Sequence, residues 1–255
     1  MKKYILTLIL ALASLGLYAQ TNRNKTIINA ALHGWEYEIK AGVNLGGTAP
    51  LPFPEEIRSI DGYNPTLSIT IEGNMTKWLD TKKKWGIITG LRLENKGMRT
   101  KATVKNYNME IIGYDGNRLK GNWTGGVRTK VQNSYITIPV LAAYKLSPRT
   151  TLKLGPYFSY LMDGDFSGHV YEGYLRETNP TGDKINFTNG AIATYDFSGD
   201  LRKFQWGVQA GVDWKAFKHL KVHADLNWGL NDIFNKDFKT VTFDMYALSL
   251  IHISE

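Results

Sequence analysis

The chain has 255 residues, a formal net charge of +8, 25 glycines and no cysteine. Without Cys it cannot build a disulfide scaffold, a Cys-ligated zinc or iron–sulfur centre, a thiol nucleophile or a lipid anchor on an N-terminal cysteine. A mean hydropathy of −0.28 is too polar for a bundle of membrane helices. It suits a membrane β-barrel, whose strands are apolar only at every second position.

The chain opens with a basic head, Lys2 and Lys3, and an apolar run from Tyr4 to Leu17. That run is shorter than the ~20 residues a spanning helix needs. With small Ala19 at the break before Gln20, it predicts a secretory signal peptide over 1–19, cleaved on export. Residues 20–34 then read as a polar periplasmic segment, and 35–255 as the folded domain.

From Trp35 onward the dominant period is two, the signature of strands with unlike faces. In the first segment Trp35, Tyr37, Ile39, Ala41, Val43 and Leu45 alternate with Glu36, Glu38, Lys40, Gly42 and Asn44. Next, Leu67, Ile69 and Ile71 alternate with Ser68, Thr70, Glu72 and Asn74. The third segment sets Trp85, Ile87, Leu91 and Leu93 against Gly86, Gly90, Arg92, Glu94 and Lys96, with Ile88 and Thr89 breaking the pattern. In the fourth, Tyr135–Tyr144, the apolar side carries Ile136, Ile138, Val140 and Tyr144. Its Pro139 points to an edge or a bulge. The fifth opposes Leu152, Leu154, Phe158, Tyr160 and Met162 to Lys153, Gly155 and Ser159. The sixth opposes Phe204, Trp206, Val208 and Trp214 to Gly207, Gly211 and Asp213. The seventh opposes Val222, Leu226, Trp228 and Leu230 to Lys221, His223, Asp225 and Gly229. An eighth begins near Val241 and includes Tyr246, Leu248 and Leu250.

Long and short connections alternate between these segments. The pattern predicts an all-β, eight-stranded antiparallel up-and-down transmembrane barrel, with long extracellular loops at one end and short periplasmic turns at the other. A soluble lipocalin-like barrel is the competing closure, with its apolar face turned inward. Two features argue against it. Ionic residues occupy mid-strand positions, and the aromatics of the apolar face gather at strand ends. Trp35, Tyr37, Trp85, Tyr144 and Trp214 fall near the short turns, and Phe158, Tyr160, Phe204, Trp206 and Trp228 toward the long loops. Two such girdles are what a bilayer's interfaces select. The polar faces then enclose a lumen charge network of Glu36, Glu38, Lys40, Glu72, Arg92, Glu94, Lys96, Lys153, Asp213, Lys221 and Asp225. An eight-stranded interior is just wide enough for side chains to fill, and buried charges must pair. The expectation is a salt-bridged plug, with a narrow small-solute pore as the alternative.

Other chemistry is weakly signalled. His219 and His223 are four apart in a turn entering a strand, and Asp163–Gly168 begins like a calcium loop but has Tyr174 where a bidentate Glu is required. No metal, cofactor or catalytic residue is expected, and no nucleic-acid partner. The long connections differ in sign: Arg99–Lys130 holds seven Lys/Arg against two acids, and Asp163–Lys203 four against seven. They can pack on each other or meet anionic lipopolysaccharide.

Several stretches resemble PorT-like, porin-family outer-membrane β-barrel proteins: Tyr135-Ile-Thr-Ile-Pro139, Gly155-Pro-Tyr-Phe-Ser-Tyr160, Trp206-Gly-Val-Gln-Ala-Gly-Val212, Trp228-Gly-Leu-Asn-Asp-Ile233, and Thr89-Gly-Leu91 to Asn95-Lys-Gly97. The likeness runs from about Trp35 to Leu250. It implies an eight-stranded outer-membrane barrel with no catalytic or ligand residues to transfer. Partners it implies are outer-membrane lipid, the barrel-insertion machinery and secretion-system proteins. The expected role is structural or loop-mediated binding in the cell envelope, without enzymatic activity; a place in a secretion assembly is the alternative. The family's last strand normally ends in an aromatic residue. Here the chain stops at Ile251–Glu255, which predicts a last strand cut short and an ending that is not native.

Overall fold

The computed structural model describes residues 35–51, 54–114, 116–235 and 244–254. The expected signal peptide and the segment 20–34 lie outside them. The chain divides into two units, Met1–Glu36 and Tyr37–Glu255, and of the first only Trp35 and Glu36 are described.

Nine strands are present among the described residues: β1 (Trp35–Leu51), β2 (Ile57–Trp78), β3 (Trp85–Ile112), β4 (Arg118–Lys145), β5 (Thr150–Glu177), β6 (Lys184–Asp196), β7 (Phe204–Lys215), β8 (Lys221–Asp232) and β9 (Asp244–Ser254). The pairings β1–β9, β2–β3, β3–β4, β3–β6, β4–β5, β5–β6, β5–β7, β7–β8 and β8–β9 are all antiparallel. The pairings run β2–β1–β9–β8–β7–β5–β4–β3 and return to β2, so eight strands close a ring and only β6 stands outside it. β6 pairs along the upper part of β5 and touches the tip of β3 through Ile112 and Thr194.

The turns at one end carry their own local chemistry. Between β2 and β3, Asp80 Oδ1 accepts from the backbone N–H groups of Lys84 at 2.7 Å and Trp85 at 2.9 Å. Lys83 adopts φ +51° in this turn. Between β4 and β5, Ser147 Oγ accepts from the Arg149 and Thr150 amides. Short side-chain acceptors of this kind replace the ladder hydrogen bonds that a tight reversal forfeits.

At the other end the structure departs from the sequence reading. The stretches read as long loops, Arg99–Lys130 and Asp163–Lys203, are mostly paired strand: β3 and β4 stay paired up to Ile112 opposite Arg118, and β5 continues to Glu177 before turning into β6. The alternation is hidden there because extra residues flip it; the first, Met162 of β5, lies where Ser134 and Tyr135 of β4 face Asp163 and Leu161, and it moves burial from Leu161 to Phe166. Asn106 (φ +60°) lies in the β3 irregularity between Val104 and Tyr107, and Glu172 (φ +47°) in the β5 irregularity between Tyr171 and Gly173. Each inserted residue exchanges inward and outward positions beyond it, so burial passes from Val104 to Met109 and Ile111, and from Val170 to Leu175. Gly125, at φ +152°, faces Gly173 across this level; a Cβ on it would lie 2.7 Å from the Gly173 Cα. Pro139 also differs from expectation. It lies inside β4, which pairs with β3 and β5, and neither register shifts beside it.

Candidate functional site

The buried face of the ring is stacked in three layers. Near the short turns, Ile88, Leu141 and Ala143 pack with Trp78 as an apolar floor. Ile88, an exception to the polar alternation, is thus the inward residue of the floor. At the far end Phe166, Phe197, Leu201, Ile233 and Phe234 belong to a large apolar cluster that continues between β3, β4, β5 and β6. Phe166 and Phe234 meet edge to face at 4.9 Å, as do Trp123 and Phe187 at 5.3 Å.

Between floor and roof lies a connected ionic array. Arg92 is fully buried and bonds Glu72, which also accepts from Asn74. Arg92 Nη2 donates to Gln209 Oε1 at 2.8 Å, and its Nη1 lies 3.8 Å from Glu94. Glu94 pairs with Lys96 at 3.3 Å and accepts from Thr137 at 2.8 Å. The Lys96 ammonium also sits over the rings of Tyr135 and Tyr157. Lys40 lies 3.7 Å from Glu38 and 3.8 Å from Glu72. On the other side Lys153 binds both Asp213 and Asp225. His223 joins the two halves, with Nδ1 2.7 Å from Asp213 and Nε2 3.4 Å from Glu38. Lys221 closes the edge on Glu38 at 2.9 Å.

Ten of the eleven residues expected in a charge network therefore lie in one chain of contacts; Glu36, the second residue of β1, belongs to the other unit. Five carboxylates face five Lys/Arg in the array. His223, Gln209 and Thr137 are members that the list of charged residues missed. Their signal was the alternation itself, since His223 lies between Lys221 and Asp225 on the polar face, and Gln209 between Gly207 and Gly211. Glycine makes room here: a Cβ at Gly211 would come within 1.8 Å of Asp225 Oδ1.

The opposite face is apolar and exposed. Tyr37, Trp85, Phe158, Tyr160, Phe204, Trp206, Trp214 and Trp228 are all exposed there, Tyr144 is half-buried against Trp85 at 4.6 Å, and Trp35 opens β1. Along β7, Trp206 and Trp214 are separated by eight residues, roughly 26 Å of strand. Ile39, Ile69, Ile71, Ile87, Leu91, Leu154 and Val208 are exposed between such aromatic positions. A water-soluble fold buries these residue types and exposes the ionic ones; this one does the reverse.

The model of the outer membrane protein beta-barrel domain family matches residues 18–235. The chain belongs to this family. The match covers most of the sequence and places the protein in the outer membrane. Among solved structures, the chain is similar to Ail, the attachment invasion locus protein of Yersinia pestis, at 9% identity and a TM-score of 0.36, covering 87% of this chain and 96% of that one. No curated protein matches the chain. Among the described residues, no group of three or more His, Asp or Glu side chains could hold a metal ion.

Proposed function

We propose that the protein is an eight-stranded transmembrane barrel whose lumen is closed by its own side chains, and that it acts as a non-enzymatic anchor holding an ordered β3–β6 head outside the cell. One observation carries this reading. Each buried ionic residue lies within 4 Å of an opposite charge in a connected array, with apolar side chains packed above and below it. Charges that line an open pore face water; charges taken out of water must find partners, and here they have them. An aqueous channel of the porin kind also needs about 16 strands.

The exposed aliphatic band between aromatic rows is the surface that contacts hydrocarbon, with the rings at headgroup level. The end with tight turns and Lys82–Lys84 faces the periplasm, and the extended hairpins face outward. Within the family, the Ile-Pro and Gly-Pro-Tyr strands lead us to group the chain with PorT-like members. Planar-bilayer recording on the refolded full chain tests the proposal: the expected result is no steady current above the lipid baseline. A stable open conductance would overturn the closed lumen and favour a narrow porin.

A further inference from the structure

Four cations occupy a compact square on the exposed surface of the head. Lys101 of β3 lies directly opposite Arg128 of β4, and Arg99 opposite Lys130, two residues along. All four are exposed. Like charges placed directly opposite in a sheet repel and cost stability. Folding neutralises these only in part. Only Lys130 has an ion pair, with Asp165 at 2.8 Å; among the described residues, Arg99, Lys101 and Arg128 have no carboxylate at salt-bridge distance. Two further acids lie nearby: Asp61, which accepts from Ser59 at 2.7 Å and Thr103 at 2.8 Å, is within electrostatic reach of Lys101, and Asp196, which accepts from the Ser198 amide and hydroxyl, lines the same cleft, so four cations face three carboxylates.

The square is also shaped. It lines a cleft of about 920 Å³ that crosses from β2 to β6 and includes Tyr63 and His169. Lys101 and Arg128 both lie over the Tyr171 ring, at 5.6 and 5.4 Å, which fixes their heads without cancelling their charge. His169, opposite Arg128, is held below the ordinary histidine range by partial burial and then by the Arg128 charge, the behaviour of a group in a positive field.

Position selects the occupant. Ile136 of β4 is level with Tyr160 and, through it, Phe204 of the outer aromatic row. Lys130 lies six residues farther on, roughly 20 Å of strand at ~3.3 Å per residue, or about 15 Å of height at a ~40° tilt. That is the level of saccharides attached to outer-leaflet lipid.

We propose that Arg99, Lys101, Arg128 and Lys130 form a binding site for the phosphorylated saccharide head of an outer-leaflet glycolipid. The arginine forks take phosphate oxygens in bidentate fashion, and the lysines add point charges. This assignment rests on the membrane orientation proposed above.

The test uses the full chain in nanodiscs, titrated with lipopolysaccharide and with the same lipopolysaccharide after phosphatase treatment. Wild type should prefer the phosphorylated form by about tenfold, equivalent to ~1.4 kcal/mol. The variant Arg99→Gln/Lys101→Gln/Arg128→Gln/Lys130→Gln should lose that preference, and Lys101→Arg/Lys130→Arg should keep it. Equal binding of the two lipid forms by wild type, or an unchanged preference in the glutamine variant, would overturn the site. Displacement of the glycolipid by inorganic phosphate at equal concentration would overturn the lipid as its source. Every variant is first shown to insert and to migrate as folded protein in unheated gels. Failure at that step for wild type would strike the membrane reading, whereas inserted protein without a phosphate preference would strike this one alone.

Discussion

Lys153 shows what a single buried charge does in this protein. Its ammonium is enclosed and answers two carboxylates, Asp213 and Asp225, on neighbouring strands. Lys153→Met removes one positive charge and leaves two negative ones facing each other out of water. The expected loss is about 3–5 kcal/mol, the scale for breaking a buried ion pair from one side, read as a lower urea midpoint in detergent. Arg118→Gln is the contrast. Its partner Glu110 is at 2.8 Å, but the side chains are 74% and 39% exposed, and such surface pairs contribute ~0–1 kcal/mol. Gly211 argues the same point through space. Gly211→Val places methyls where Asp225 sits, and overpacking of about 1–3 kcal/mol should follow, again as a shift of the urea midpoint. Lys153, Gly211, Asp213 and Asp225 were legible in the sequence because each falls on the polar side of an alternation. Which acid answers which base was not, since partners such as Lys40 and Glu72 meet across strands whose register only the closed ring fixes.

At the level of elements, the barrel strands were visible and the head was not. Phe204–Trp214 alternates without interruption for ten or so residues, and Trp85–Lys96 does so apart from Ile88 and Thr89, because one face meets a single environment throughout. Toward Val104 and Val170 that condition ends. The extra residues at Asn106 and Glu172 reverse the faces, and on the barrel side of them the outward positions have already become Arg99, Lys101 and Thr103 on β3 and Arg128 on β4 rather than Leu and Trp. A search for period two meets a phase break and a polar surface together, and reports loops. β6 was invisible for a further reason: its inward residues Phe187, Ala193 and Tyr195 are separated by Gly190 at φ +82°. Packing holds this head together, so it should resist protease despite its many Lys and Arg. Trypsin on intact cells is expected to cut near the exposed hairpin tips, beside Arg118 and Lys184, and to spare Lys101, Lys105 and Arg128. Trp123→Ala removes the ring that packs on Phe187 at the centre of the cluster at a cost of about 3–5 kcal/mol. New cleavage within residues 163–203, read by mass spectrometry of the fragments, should report the release of β6 while the membrane part stays folded.

Considered whole, the molecule has its solvent preferences turned inside out in one region and upright in another. Where exposed Ile87, Leu91, Leu154 and Val208 surround buried Arg92, Lys153 and Asp213, the surroundings must be less polar than the interior. Where exposed Arg99, Lys101 and Lys130 surround buried Met109, Trp123 and Phe187, they must be water. The boundary between the two regimes runs across single strands, within six residues on β4 from Ile136 to Lys130. A bilayer edge has that sharpness; a protein partner covering part of the surface would leave the boundary on only some strands. The dependence on depth can be measured by placing one arginine at a time on the outward face. Leu91→Arg and Val208→Arg, between the aromatic rows, should each cost about 2–4 kcal/mol, while Thr103→Arg in the head and Phe217→Arg in the β7–β8 turn should cost ~0–1 kcal/mol. Reversible urea unfolding in thin-chain phosphatidylcholine vesicles gives these differences directly. A flat profile along the strand would mean that no hydrocarbon layer surrounds the ring. A single maximum between Trp85 and Ile136, common to all strands, would locate its centre.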